Sequence, residues 1–487
     1  MTSTTTWEQR QQAFVERLGQ RGPADLESGT VVVLPSLSFA DSELRKITGV
    51  LHYEERMLFM LLFLRRPDLH LVYVTSLPVD PAIVDYYLRF LPDPEDARRR
   101  LDLVHVDDAT IQPLSDKLLA HESTRDEIRK RAGDPDEAYL LPFNVTDSER
   151  ALAEALELPL YGSPAELSWF GTKTGSRRTA RQAGVSVLEG REGLHLLADI
   201  EHAIEHIRAR SPHADAVVIK LNNGFSGQGN AIVELRDPTT PLAASSTTFC
   251  ALEETWPDYE AKVEAEGAIV EELVRHEPMV SPSVQLRIAP GGAFEVVSTH
   301  DQVLGGPQGQ VYLGCRFPAD PDYRLTIQTN AERVARELAA AGVLGSFGID
   351  FLVAHGHGGN AVYLSEINLR MGGTTHPFWM ARLVTGGHYD HDTGELIGAD
   401  GAVKRYVATD NIKEPSLVGL TPEAVIDAVD RAGLAFDPAT GTGVTLHLLG
   451  AIHDYGKMGA VCIAPDLAGA DRLYQELVAL VTSLRSR

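Results

Sequence analysis

Between residues 362 and 370 the chain reads Val362-Tyr363-Leu364-Ser365-Glu366-Ile367-Asn368-Leu369-Arg370. Side chains alternate across a strand, so Glu366, Asn368 and Arg370 share one face while Ile367, Leu369 and Met371 point into a core. An acid, an amide oxygen and a guanidinium aligned in this way can hold a hard cation and steady an anion beside it, which is the chemistry of nucleotide phosphates. Asp350 lies in a second strand pattern whose Ile349, Phe351 and Val353 face the opposite way. The loop His355-Gly356-His357-Gly358-Gly359-Asn360 joins the two strands as a hairpin and so brings Asp350 beside Glu366 and Asn368. Two carboxylates and one amide oxygen suit magnesium, which takes hard oxygen ligands and keeps several waters. The same residues also read as plain ion pairs with Arg370 or nearby lysines at a sheet edge.

Cations lie upstream. Residues 216–220 form an apolar run ending in Lys220, followed by Leu221-Asn222-Asn223-Gly224-Phe225-Ser226-Gly227-Gln228-Gly229-Asn230. Backbone N–H groups of such a loop can close over phosphate oxygens while the lysine supplies charge, with Gly224, Ser226, Gly227, Gln228 and Gly229 as the candidates. A plain turn is the competing reading, and no Gly-Lys-Ser/Thr follows to make it a Walker loop. Lys173 opens a short helix expected over 174–183 and closed by Gly184; a lysine there opposes the helix dipole and calls for a reason beyond stability. Residues 268–274 run as an apolar strand into acids. Glu271, Glu272, Leu273 and Val274 can form a hinge whose backbone meets an adenine, with Glu277 on a ribose, or an edge strand with solvated acids. Arg287 shares a strand face with Gln285 and Ser283 and would reach phosphate or a substrate carboxylate. In Gly372-Gly373-Thr374-Thr375-His376, His376 reads either as a base or substrate contact, with Gly373 and Thr374 beside it, or as a structural loop histidine.

The elements that must position these residues divide the 487-residue chain into three expected units: an α/β unit over 1–160, a mixed unit over 161–390 and a smaller α+β unit over 391–487. Val31-Val32-Val33-Leu34, Leu71-Val72-Tyr73-Val74 and Leu103-Val104-His105-Val106 suit buried parallel strands, and residues 53–66 carry an apolar helical face. No Gly-x-Gly-x-x-Gly follows the first strand, which disfavours a dinucleotide site there. Thr146-Asp147-Ser148-Glu149 and Ser163-Pro164-Ala165-Glu166 are two capping-box patterns marking helix starts on either side of the first boundary. Further strands are expected at 216–220, 268–272, 284–288, 348–353, 444–449 and 459–463, with helices from Thr421-Pro422-Glu423 and from Leu467.

The formal charge of -24, from 68 acids against 44 Lys plus Arg, repels polyphosphate backbones and argues against nucleic acid as a partner. Cys250, Cys315 and Cys462 are far apart and lack metal spacing, so they read as idle thiols in a reducing compartment. No signal pattern opens the sequence, and the longest apolar run, at 57–64, falls short of a membrane span. A cytoplasmic protein without a membrane partner is the expectation. His202 and His206 have helical metal-pair spacing but no third ligand nearby, and Gly-x-Ser-x-Gly and His-Glu-x-x-His are missing.

Taken in order, Lys173, Lys220 with its glycine loop, Glu271 to Val274, Asp350 and Glu366-Ile367-Asn368-Leu369-Arg370 resemble the ATP-grasp ligases over about residues 160–387. The flanks, with Ser281-Pro282-Ser283-Val284-Gln285, Thr299-His300-Asp301-Gln302 and residues 450–462, are similar to the pheganomycin-type peptide ligases. The resemblance implies a Rossmann-like pre-ATP-grasp domain, an ATP-grasp core of two α+β subdomains and a small C-terminal domain. It further implies that Lys173 and Lys220 contact ATP phosphates and that the backbone at Glu271 to Val274 holds adenine. Asp350, Glu366 and Asn368 would bind Mg2+, and Arg370 would steady the reacting acyl group. The activity implied is amide formation between a carboxylate donor and an amine acceptor, small molecules or peptides, through an acyl phosphate. Catalysis is expected from Arg370, Lys220 and Arg287, and substrate contact from Gln285, Gly373, Thr374 and His376. A thiol or carboxylated-cofactor acceptor and a non-catalytic nucleotide-binding module remain as rivals, and a second copy of the chain is left open as a partner.

Overall fold

A computed structural model describes residues 6–19, 28–224, 229–235, 247–250, 254–275, 279–305, 311–356 and 359–484. The β-branched runs near the start form a four-stranded parallel sheet in the order Leu101–His105, Asp68–Thr75, Ser28–Leu34, Ala138–Pro142. Both faces are covered, so Val32, Val33, Leu71, Val72 and Leu140 are fully buried, as continuous apolar strands require. The apolar segment expected as a helix is a 3-10 helix, Val50–Arg65, buried nearly all round. It packs along the parallel sheet and reaches the helix Thr375–Thr385 far along the chain.

The Thr146 capping box forms as expected: Ser148 N donates to Thr146 Oγ1 and Thr146 N to Glu149 Oε2, at 3.2 and 2.7 Å. The Ser163-Pro164 pattern does not. Pro164 sits at the N-cap of a short 3-10 turn, Ala165–Gly171, without a side-chain cap, and Ser163 Oγ is buried without a partner among the described residues. The chain turns again only a few residues later, where Thr172 caps the helix Lys173–Gln182 by accepting from Gly175 N at 2.9 Å. Gly184 closes that helix with φ +67°.

A five-stranded antiparallel sheet follows, ordered Gly190–Leu194, Ala268–Glu272, Ala216–Leu221, Asn230–Glu234, Thr247–Phe249. The helix Leu197–Arg210 lays Ile200, Ala203, Ile204 and Ile207 on it. His206 pairs with Glu189 at 3.1 Å, a solvated-face contact.

The remaining strands make one eleven-stranded sheet. Gly345–Gly356 and Gly359–Asn368 are its hairpin, with Asp350 opposite Glu366 and Gly348 opposite Asn368. Pro282–Ile288, Phe294–Gly305 and Val311–Phe317 continue it to Val403–Lys413, which pairs in turn with Lys457–Ala464. Strands on both sides of residue 390 thus belong to the same sheet. The helix Arg324–Ala340 packs on Pro282–Ile288 and Phe294–Gly305, and Leu467–Ser483 packs on the C-terminal strands. No described helix is long and apolar enough to cross a membrane. Cys315 and Cys462 are free and buried.

Candidate active site

A cavity of about 1150 Å³ lies where the three sheets meet, and its walls draw on residues from Leu37 to Lys457. Leu37 and Phe143 come from the carboxyl ends of two parallel strands, the crevice position that open α/β sheets use for ligands.

One wall is the Asp350–Glu366–Asn368 face. Asn368 Nδ2 lies 3.0 Å from Asp350 Oδ2 and 3.3 Å from Glu366 Oε1, and Gln302 Nε2 donates to Asp350 Oδ1 at 2.9 Å. The hairpin register slips between Asp350 and Phe351, leaving Ser365 as the extra residue of a bulge. A bulge turns side chains relative to the strand, here where the acids meet. Burial, reinforced by Glu366, pushes the Asp350 carboxyl up to about 7. Burial acts the same way on Glu366, but the Lys173 ammonium in contact with it overrides this and holds Glu366 at about 2. The two neighbouring acids shift in opposite directions because the Lys173 ammonium contacts Glu366, whereas burial and the Glu366 charge outweigh Arg370 and Lys173 at Asp350.

This donor set fits magnesium. Besides each other, the two carboxylates meet the Lys173 ammonium and the amides of Asn368 and Gln302, a close pair of acids that a metal ion would answer. Turning the Asn368 amide over would present its oxygen instead. Among the described residues no three His, Cys, Asp or Glu side chains gather to hold a metal, but magnesium needs only one or two carboxylates when phosphates complete its shell.

The opposite wall carries Lys173 and Lys220. Lys173 Nζ also donates to Gly224 O at 3.3 Å, which ties the helix start to the glycine loop. Lys220 contacts the buried Glu271 carboxylate, and Arg177 Nη1 reaches the same carboxylate at 2.8 Å. Burial raises the Glu271 pKa, yet Lys220 and Arg177 together keep it below its ordinary value. Arg177 is fully buried, and it too bonds Glu192 and the Leu188 carbonyl. The sequence reading passed over Arg177, although it stands one helical turn from Lys173 on the same face.

Glu271, Glu272, Leu273 and Val274 all line the cavity, with Leu188, Val218 and Val280 forming an apolar slot beside them. The amides of Glu272 and Leu273, however, donate to Glu189 O and Ala216 O at 2.9 Å, so sheet bonding engages them and Val274 is the hinge amide beyond it. Ser226, Gly227, Gln228 and Glu277 lie outside the described residues. Gly229 belongs to the sheet end rather than the cavity, its carbonyl accepting from Tyr259 OH at 2.8 Å.

Arg370 lies at the end of the metal-type wall with its guanidinium 5.6 Å from the Phe39 ring. Burial lowers its pKa, Glu366 and Asp350 oppose this, and Arg56 adds like-charge repulsion. Gln285, Gly373 and Thr374 line the cavity.

Two expected residues do not. Arg287 sits two residues farther along its strand than Gln285, beyond a register slip, and pairs with Glu295 at 2.8 Å outside the cavity. His376 lies in the helix Thr375–Thr385 behind the wall, where Nδ1 donates to Arg56 O at 3.0 Å and the ring packs 4.3 Å from that of His447. Burial pushes His376 down to about 4, and its side chain is not part of the cavity lining.

A family model described as IQCH-like, ATP-grasp matches residues 243–392, and one described as the PGM1 C-terminal domain matches residues 424–477. An L-propargylglycine–L-glutamate ligase from Streptantibioticus cattleyicolor is 32% identical over 466 residues, covering 93% of this chain and 94% of the relative. IQ motif-containing protein H from Danio rerio is 21% identical over 376 residues, which is 66% of this chain and 35% of that protein. Among solved structures, a biotin carboxylase from Campylobacter jejuni in complex with a βγ-ATP ligand superposes with a TM-score of 0.56 at 14% identity, covering 93% of this chain and 94% of that one. The ADP complex of an N5-carboxyaminoimidazole ribonucleotide synthetase gives 0.53 at 14% identity, covering 92% and 96%. At such identity the structural likenesses speak for the fold alone.

Proposed function

The chain belongs to the ATP-grasp carboxylate–amine ligases, and we propose that it joins an amino acid to a second amino acid or a peptide, using ATP and passing through an acyl phosphate. The observation that carries this reading is a single cavity holding Asp350, Glu366 and Asn368 on one wall, Lys173 and Lys220 on the other, and Arg370 at their end. The S. cattleyicolor relative acts by its name on two α-amino acids, and its match runs along nearly the whole chain.

A carboxylate is a poor electrophile, and its oxygen must become a leaving group before an amine can displace it. Lys173 and Lys220 supply positive charge where the phosphates of ATP would lie, and the slot beside Val274 suits an adenine. Asp350, Glu366 and the Asn368 oxygen would hold magnesium, which neutralises charge on the transferring phosphoryl group when bound. Arg370, always charged and able to donate a forked pair of hydrogen bonds, would steady the oxyanion formed as the amine attacks the acyl carbon. With His376 buried and bonded to backbone, the amine's proton leaves without that residue; a free α-amino group, with a pKa of about 8, needs little help. The same reading puts the product in peptide natural-product biosynthesis.

The test is ADP release measured with a carboxylate donor alone, an amine alone and the two together, across amino acids and short peptides, with products identified by mass spectrometry. Release requiring both, with an amide product, is expected. Release with thiols or carboxylated cofactors but never with amines would overturn the reading.

A further inference from the structure

The cavity has a second charged cluster that the nucleotide does not need. Tyr53 and Arg56 come from the 3-10 helix Val50–Arg65, Asp410 and Asn411 from the strand Val403–Lys413, and Lys457 from the start of Lys457–Ala464; all five line the cavity. The strand pairing slips between Thr409 and Ile412, so Asp410 and Asn411 stand in an irregularity opposite Gly459. That irregularity frees their side chains from strict alternation and lets them face the cavity. The Arg56 guanidinium contacts Asp410 and lies 4.4 Å from the Tyr53 ring centroid. Lys457 Nζ donates to Tyr53 OH at 2.7 Å and lies 4.9 Å from the same ring.

Charge does not balance within this cluster. Within it Arg56 and Lys457 face the one acid Asp410, Lys413 and Arg370 add further positive charge, and Tyr53, Asp410 and Lys457 are each less than a tenth exposed. A buried cation without an opposite charge is costly, and burial lowers the Lys457 ammonium from its ordinary value although Asp410 opposes this. Arg56 gives one of its five donors to Asp410 and Lys457 one of its three to Tyr53, and both side chains line the cavity. The cluster also adjoins the reacting end, since Arg56 repels Arg370 and the Tyr312 ring packs under Gly373.

Building on the ligase reading above, we infer that Arg56 and Lys457, held by Asp410 and Tyr53, form the subsite for a carboxylate of an amino-acid substrate that does not react and survives in the product. The excess positive charge suits a carboxylate, and cations on two separate elements can bind its two oxygens. Asp410 is a positioning residue, orienting Arg56 and offsetting part of the positive charge.

Calorimetric titration tests this with each of the twenty proteinogenic L-amino acids, with and without a non-hydrolysable ATP analogue plus Mg2+, on the full chain. The tightest binder is then compared with its own α-amide. Loss of a charge-assisted hydrogen bond weakens binding roughly ten- to a hundredfold. We expect that loss for the α-amide on the unaltered chain and for the acid on Lys457→Gln, with acid and amide binding alike to Lys457→Gln. Lys457→Arg restores the preference for the acid, which a purely structural role would not do. Equal affinity for acid and amide, no amino acid bound under either condition, or Lys457→Gln lowering only the melting temperature would each overturn the subsite. The analogue titration separates the two readings: amino-acid binding that survives where the analogue fails to bind counts against the ligase and not against the subsite.

Discussion

At Glu366 two demands meet in one side chain: it must stay ionised in a buried wall, and it must face the cavity. The Lys173 ammonium meets the first, overriding the burial that would otherwise raise the carboxyl. Removing the charge without changing the shape should therefore disable the wall and spare the fold. Glu366→Gln is expected to abolish ADP formation with its melting temperature within a few degrees of the parent; turnover at the parental rate would remove Glu366 from the metal-type wall. Arg370 separates binding from chemistry in a different way. Its guanidinium stands beyond the acids, beside Phe39 and facing the Arg56 cluster. Arg370→Ala should leave titration with an ATP analogue nearly unchanged, whereas amide formation falls roughly a hundred- to a thousandfold, the typical loss for one oxyanion donor. A parental kcat in that variant would assign the oxyanion to another group.

The wall and its opposite lysines work because whole elements are pinned to one another, and Arg177 is the pin between the Lys173–Gln182 helix and the hinge strand. Fully buried, it bonds Glu271, Glu192 and the Leu188 carbonyl. Arg177→Met leaves Glu271 with Lys220 alone, and breaking a buried pair in this way costs roughly 3–5 kcal/mol. Urea unfolding should record a loss near the lower end of that range, because Lys220 remains, and Lys220 drawn toward Glu271 should weaken nucleotide binding as well. A loss below about 1 kcal/mol, the scale of an exposed pair, would contradict this account. What the sequence could convey stops at about this level. The hairpin from Gly345 to Asn368 was legible because alternation and a glycine turn are local, and so was the Thr146 cap. Arg287 misled because alternation assigns a face but not the distance along the strand to which the cavity extends. His376 misled because nothing local to Gly372-Gly373-Thr374 says that a helix starts there with Arg56 behind it. The strand irregularity at Asp410 and Asn411 has no local signature, and its value to the site depends on a helix about 350 positions earlier in the chain.

Across the whole molecule, the N-terminal 3-10 helix, the large sheet and the C-terminal strands close around three histidines. The His376 and His447 rings lie 4.3 Å apart, tilted by 39°, and His300 bonds Tyr406 OH at 2.6 Å. Burial lowers all three, His376 to about 4, His300 to about 3 and His447 well below the ordinary value, with His376 and Arg56 adding repulsion to the last. In the unfolded chain each titrates near its ordinary value of about 6.5. Between about pH 4 and 6.5 the unfolded state thus binds protons that the native state refuses, so stability rises with pH through that window and levels off above it. For His376 alone the difference at pH 5 is about 2 kcal/mol. Glu54 acts with the opposite sign: burial raises it to about 7, so the native state holds a proton there that the unfolded chain releases. Total stability against pH therefore mixes both directions, and the informative quantity is a difference between variants. His376→Asn keeps an amide N–H for the Arg56 carbonyl but has no group to protonate. Whatever the substitution does at pH 7.5, its stability should fall about 2 kcal/mol less than that of the parent on going to pH 5, as read from urea unfolding at the two pH values. Parallel losses in both proteins would mean that His376 accepts its proton in place, and that the contact between the N-terminal helix and the C-terminal strands is open to water.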